Sequence, residues 1–139
     1  MRVTRRVSAA AVAAAVVVGG AVVGASPAQA KSDVELAVSA HHARPGQSVR
    51  VTADGGDDNA TSYTQVCVEL LTGTGHHRHW RDLRCSGVVH QGGEQVTVRL
   101  HSSKPARFEV RGQLFESGPH GHHRRGAQVT QVESIRFGR

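Results

Sequence analysis

Apolar residues recur at every second position in short runs, and this pattern governs the chain from residue 33 to residue 137. Val34, Leu36 and Val38 alternate with polar neighbours, as do Val49, Val51 and Ala53. Val66, Val68 and Leu70 form a third set, and Val96, Val98 and Leu100 a fourth. Phe108, Val110 and Leu114 follow. Successive side chains of a strand point to opposite faces, so a period of two gathers each set on one face. The last run holds Val129, Val132, Ile135 and Phe137, and its phase slips once, which is the mark of a bulge. Turn chemistry separates the runs. Arg44-Pro45-Gly46-Gln47 reads as a turn, and Asp54-Gly55-Gly56-Asp57-Asp58-Asn59 as a loop. Gly73-Thr74-Gly75, Gln91-Gly92-Gly93 and Ser103-Lys104-Pro105 break the pattern again, and Gly118 to Gly126 is the longest loop. No segment carries a helical period. The reading is all-β, with strands at 33–40, 48–54, 63–71, 79–85, 94–101, 106–116 and 127–137. About seven short antiparallel strands with turns between them make a two-sheet sandwich.

The first thirty residues stand apart. Arg2, Arg5 and Arg6 precede an uncharged stretch of Ala, Val and Gly from Val7 to Ala25. Pro27 breaks it, and Ala28-Gln29-Ala30 has the small-x-small form a signal peptidase accepts. Residues 1–30 therefore read as a secretory signal peptide, cut before Lys31, and 31–139 as a single sandwich domain. Arg5-Arg6 resembles a twin-arginine start, but Val7-Ser8-Ala9 replaces the hydrophobic residues that normally follow, so the general secretory route is favoured. The leader's composition resembles that of high-GC Gram-positive bacteria.

Removing the leader changes the charge argument. The whole chain has a formal net charge of +6, with 17 Lys+Arg against 11 Asp+Glu. Three of the basic residues and none of the acids lie in the first thirty, so the remainder carries +3. That near-balance removes the case for specific nucleic-acid binding. The length and composition also exclude a polytopic membrane protein, a collagen and a disulfide-dense miniprotein. They leave little room for a doubly wound enzyme. Contact with a membrane is expected only through an uncleaved leader, and the domain is expected to be a monomer.

The run from Arg44 to Thr52, a Pro-Gly turn followed by an alternating Val strand, resembles the start of many bacterial secreted immunoglobulin-like domains. The resemblance implies an immunoglobulin-like β-sandwich over the mature chain. Antibody hallmarks are missing, since no Cys pair links the second strand to the sixth and no Trp sits on the third. The domain is also similar in size and architecture to chromophore-carrying apoproteins of the neocarzinostatin type. Those carry two disulfides, whereas this chain has Cys for one.

Export permits a disulfide, and Cys67 and Cys85 are the only two cysteines. They flank a hairpin-like turn, and no C-x-x-C spacing points to redox or metal work. Cys67 falls out of phase with Val66, Val68 and Leu70, which places the bridge on the outer face of its sheet.

Histidine is the unusual residue: all ten lie beyond the leader, grouped as His41-His42, His76-His77-x-His79 and His120-x-His122-His123, with His90 and His101 single. Imidazole suits Zn and Cu. Up-and-down strands gather His41, His42, His76, His77, His79 and His101 at one end of the sandwich. Asp54, Asp57, Asp58, His90, His120, His122, His123, Arg124 and Arg125 gather at the other. His90, His120, His122, His123, Asp57 and Asp58 are the candidate metal ligands, for Zn or Cu. The competing reading is a set of exposed, solvated loops. Acidification would add up to ten positive charges and strengthen binding to an anionic surface.

No catalytic motif is present: there is no G-x-S-x-G, H-E-x-x-H or P-loop. Arg78, Trp80, Arg81 and Arg84 form a basic stretch with one aromatic, a candidate patch for an anionic polymer. Its plainer reading is an edge strand protected by charge. Asn59-Ala60-Thr61 matches a glycosylation sequon, incidental in a bacterium. The sequence thus points to a small exported, non-enzymatic binding or surface-interaction module, with an extracellular protein or cell-wall polymer as partner and no required cofactor. A histidine-loop metal-binding protein and a small secreted hydrolase or inhibitor are the alternatives.

Overall fold

The computed structural model describes residues 32–58 and 61–138. The leader expected over residues 1–30 lies outside them, as do Asn59 and Ala60. Among the described residues the fold is all-β, with ten strands in two sheets. No helix there is long and apolar enough to cross a membrane. The strands are β1 (Ser32–Val38), β2 (His42–Ala43), β3 (Ser48–Asp57), β4 (Tyr63–Thr72), β5 (His79–Cys85), β6 (Val89–His90), β7 (Gly92–His101), β8 (Ala106–Ser117), β9 (Arg125–Val129) and β10 (Glu133–Phe137). A short 3-10 turn, Gly75–His77, joins β4 to β5.

The smaller sheet has the order β1-β3-β7. The larger runs β2-β10-β8-β4-β5, with β6 on β4 and β9 on β8. All pairs are antiparallel except β2 with β10. The alternating sets face one another across the sandwich. Val49, Val51, Ala53, Val96 and Leu100 come from the smaller sheet. Val66, Val68, Leu70, Val110, Leu114, Ile135 and Phe137 come from the larger. Full burial of such side chains stabilises by roughly 1.5–3 kcal/mol each relative to exposure.

Eight of the strands correspond to the seven runs legible in sequence, the last run being divided between β9 and β10; β2 and β6 are two-residue additions. From Val129 to Glu133 the chain advances four residues, while its partner β8 advances three, from Gln113 to Val110. The extra residue is the expected bulge. Gly112 holds it in place, donating its N–H to Thr130 Oγ1 at 2.9 Å and accepting from Thr130 N at 3.0 Å. Val129 and Val132, read as members of the inward set, are instead half-exposed.

The glycine-rich segment after Asp54 also differs from its expectation as a loop. Gly55, Gly56 and Asp57 continue β3, paired with β1 on one side and β7 on the other. The reason is close backbone approach rather than turning: a Cβ on Gly56 would lie 2.3 Å from Gly92 O and 2.6 Å from Gly93 Cα. Gly92, by contrast, is a turn glycine at φ 87°, following Gln91 at φ 59°.

Candidate binding face

The residues of β4 and β8 that alternate with the core set form the outer face of the larger sheet. On β4 these are Gln65, Cys67, Glu69 and Leu71; on β8 they are Arg107, Glu109, Arg111, Gln113 and Phe115. The register sets Leu71 opposite Trp80 of β5, and Glu69 opposite both Asp82 and Arg111. Two carboxylates side by side repel, and each has its own guanidinium. Arg111 Nε donates to Glu69 Oε2 at 2.6 Å, and Arg124 Nη2 donates to Asp82 Oδ2 at 2.8 Å. Each of these arginines also lies over an aromatic ring. The Arg111 guanidinium is 4.2 Å from the Trp80 centroid, and that of Arg124 is 3.9 Å from Phe115. Glu109 accepts from Arg78 and forms an ion pair with Arg107 at 3.3 Å. Acids, arginines and two aromatics thus form one connected surface.

The charges on this face nearly balance, but they are not equally accessible. Side-chain exposure is 49% for Arg78 and 58% for Arg107 against 24% for their shared partner Glu109. It is 24% for Arg111 against 8% for Glu69. Arg124 and Asp82 are level, at 32% and 34%. At Glu109 and Glu69 the carboxylate is thus less accessible than the guanidinium groups it pairs with, while at Asp82 the two are equally accessible. Beside Trp80, the guanidinium groups of Arg78 and Arg111 are more accessible than Glu109 and Glu69.

Cys67 and Cys85 are directly opposed across β4 and β5 and form a disulfide, with Cα atoms 4.0 Å apart. The bridge sits on the outer face, yet Cys67 is fully buried. Arg124 accounts for part of its cover: its Nη1 reaches Cys67 Sγ at 3.5 Å, Cys85 Sγ at 3.7 Å and Gln65 Oε1 at 3.4 Å. One side chain from the loop after β8 thus ties that loop to the bridge, to β5 and to Phe115. Beyond the bridge the register slips between Val68 and Glu69, leaving Leu83 as the additional residue of β5, packed against the core.

The basic stretch on β5 is divided by its strand. Trp80 shares the outer face with Leu71, and Arg78 reaches Glu109 there. Arg81 stands opposite Leu70 and Arg84 opposite Val68, on the side of the sheet that carries the core set. The four do not form one patch; Arg78 and Trp80 join Arg111 and Arg107 instead.

The register places the histidines at two ends, as up-and-down strands require. Asp57 pairs with Gly92, and Tyr63 with His90 and Ser117, at one end. There the His90 ring stacks on Tyr63 at 4.6 Å, and the His120 and His122 rings are 6.5 Å apart. Asp57 is buried at the end of β3, while Asp58 and His123 are exposed. Among the described residues, one set of three His, Cys, Asp or Glu brings its ligand atoms within 4.8 Å of one another: Cys67, Asp82 and Cys85. Both of its sulfurs are engaged in the disulfide. His90, His120, His122, His123, Asp57 and Asp58 do not make such a set.

Sequence reasoning missed the parts played by Glu69, Arg111 and Phe115 and the cover Arg124 gives the bridge. A signal was present in the alternation Arg107, Glu109, Arg111, opposite in phase to Phe108 and Val110. An acidic trough of about 430 Å³ on the smaller sheet was also missed as a unit; Asp33, Glu35 and Asp54 surround Gly55 and Gly56 there.

No family model matches the chain, and no curated protein matches it. Solved structures align with it at low identity and low TM-score. A β-glucosidase from Listeria innocua aligns over 77% of this chain and 16% of its own length, at 15% identity and a TM-score of 0.44. A β-glucosidase from Erythrobacter marinus aligns over 78% of this chain and 16% of its own, at 8% identity and a TM-score of 0.45. A sporulation control protein from Bacillus subtilis aligns over 76% of this chain and 48% of its own, at 12% identity and a TM-score of 0.40. The chain spans about a sixth of each glucosidase and about half of the sporulation protein.

Proposed function

We propose that the protein is an exported, non-enzymatic binding module that holds an anionic cell-wall polymer against the outer face of its larger sheet. The observation that carries this reading is the unequal accessibility of charge around Trp80: Arg78, Arg107 and Arg111 are each more exposed than the carboxylate they pair with. A polymer phosphate or carboxylate meets guanidinium first, and a rigid aromatic next to it adds apolar contact. Strand pairing on both sides of β4 and β8 supplies a stiff base for these side chains. The disulfide and the absence of a membrane-crossing helix among the described residues are compatible with export. Strand order supports an immunoglobulin-like assignment. With β1, β3 and β7 as A, B and E, and β10, β8, β4 and β5 as G, F, C and C′, the sheets read A-B-E and G-F-C-C′.

Cosedimentation with purified Gram-positive cell walls tests the reading, using walls with teichoic acid and walls stripped of it. The protein is expected to pellet with the former and to stay in solution with the latter. The Arg78→Ala and Trp80→Ala variants, checked for an unchanged β-sheet circular dichroism spectrum, are expected to lose at least fivefold in bound fraction. Equal binding to both walls, or full retention by both variants, overturns it. Specific capture of an extracellular protein instead would replace the polymer as partner.

A further inference from the structure

Two hollows meet at the end of the sandwich opposite the His120 loop. The larger, of about 850 Å³, has Pro45, Pro105 and Ala106 for its apolar walls, with Arg107 and Arg136 at its rim and the buried Phe137 beneath. The smaller, of about 260 Å³, is lined by His42, Arg44, Gln47 and again Arg136. Arg136 and Gly138 border both, so the two hollows adjoin at these residues. No acidic residue lines either one.

The walls are preformed. Gly46 N donates to Ser102 O at 2.7 Å, locking the Pro45 turn against the Pro105 turn. Gln47 N closes its own turn on Arg44 O at 3.0 Å, and Ser102 Oγ closes the other on Lys104 O at 2.6 Å. Gly138 N donates to Ala43 O at 3.0 Å, which fixes the chain segment that borders both hollows. Several polar backbone groups of both turns are thus engaged internally, and proline adds no N–H.

The cations differ in their commitments. Arg107 is engaged, its Nε donating to Ser134 Oγ at 2.9 Å and its Nη2 lying 3.3 Å from Glu109 Oε1. Among the described residues no acid pairs with Arg44 or Arg136. The site therefore offers an apolar chamber next to two uncompensated guanidinium groups and an imidazole. Ligand chambers are ordinarily of roughly 300–1,000 Å³, mostly apolar with a few polar groups that fix orientation.

We infer that this end of the sandwich binds a small amphiphilic carboxylate, of the fatty-acid kind. The carboxylate sits between Arg44 and Arg136, where bidentate pairing with guanidinium is available. The hydrocarbon lies in the larger hollow against Ala106 and the two prolines. Charge complementarity selects the head, and the apolar walls reject a free phosphate or a purely polar polyanion. Trp80 lies outside this site, which shares only Arg107 with the polymer face, and the inference does not rest on the polymer reading.

A ¹⁵N-resolved NMR titration of the protein as isolated tests it, with decanoate below its micellar concentration, decanol and inorganic phosphate as probes. Decanoate is expected to shift the amides of Ala106, Arg107, Arg136, Phe137 and Gly138 saturably. Phosphate is expected to leave Ala106 and Phe137 in place. Decanol, lacking the charge, is expected to bind at least tenfold more weakly, and so is decanoate to the Arg44→Gln/Arg136→Gln variant. Both residues are exposed, so the variant keeps its core. Trp80→Ala is expected to bind decanoate as the parent does. The absence of saturable shifts at these amides, or equal decanoate affinity in the double variant, overturns the inference.

Discussion

At the scale of single residues, the fold depends on a few positions where no other side chain fits its role. Gly56, next to the last residue of β3, lies between two backbones, and a Cβ there meets carbonyl and Cα atoms that no rotamer change can move. Gly56→Ala is expected to lower stability by about 2–3 kcal/mol, as overpacking does. Urea unfolding measures this, and a loss below 0.5 kcal/mol would contradict the close approach. Glu69 is a second such position, a buried carboxylate on the outer face whose partner Arg111 covers Trp80. Glu69→Ala is expected to cost about 1.5–3 kcal/mol, the range for a charge-assisted hydrogen bond. A double-mutant cycle with Arg111→Ala should show coupling of the order of 1 kcal/mol; independent, additive losses would deny the pair. The sequence names Gly55-Gly56 as punctuation, because a glycine that permits a turn and a glycine that permits a close approach look alike in one dimension. Glu69 was illegible for a related reason. Its burial comes from Arg111, 42 positions away.

At the scale of elements, alternation made the long strands legible, with the runs at 48, 63, 79 and 106 starting where β3, β4, β5 and β8 start. The phase slip in the last run was legible too, as a one-residue excess. Its consequence was not. Gly112 grips Thr130 from the opposite strand, so the chain between β9 and β10 bows outward and exposes Val132. The disulfide belongs to this scale because it fastens β5, an edge strand paired only with β4. Cys67→Ala/Cys85→Ala is expected to lose about 3 kcal/mol for a loop of this length in the chain-entropy model. The loss is expected to be accompanied by faster hydrogen exchange in β5 than in β3. Uniformly faster exchange through both sheets would show that the bridge does not act locally.

At the scale of the whole molecule, the two ends and the outer faces have different chemistry, and only part of that was legible. Assigning histidines to ends needed nothing beyond antiparallel order. Bringing Arg124 over Phe115 and the disulfide required the path of a loop, which no local pattern encodes. The same holds for the split of Arg78 and Trp80 from Arg81 and Arg84, which depends on how β5 pairs across its bulge. The larger sheet thereby presents guanidinium groups more accessible than their paired glutamates beside its one tryptophan, and polyanion binding there should weaken as salt rises. The measurement that bears most directly on this account is a chemical-shift map of the protein with poly(glycerol phosphate) as probe. The account predicts shifts at the Trp80 indole N–H and at the amides of Arg78, Glu109 and Arg111, falling away above about 0.5 M salt as screening takes hold. Shifts confined to the His120 loop or the Arg136 end, with Trp80 unmoved, would contradict it.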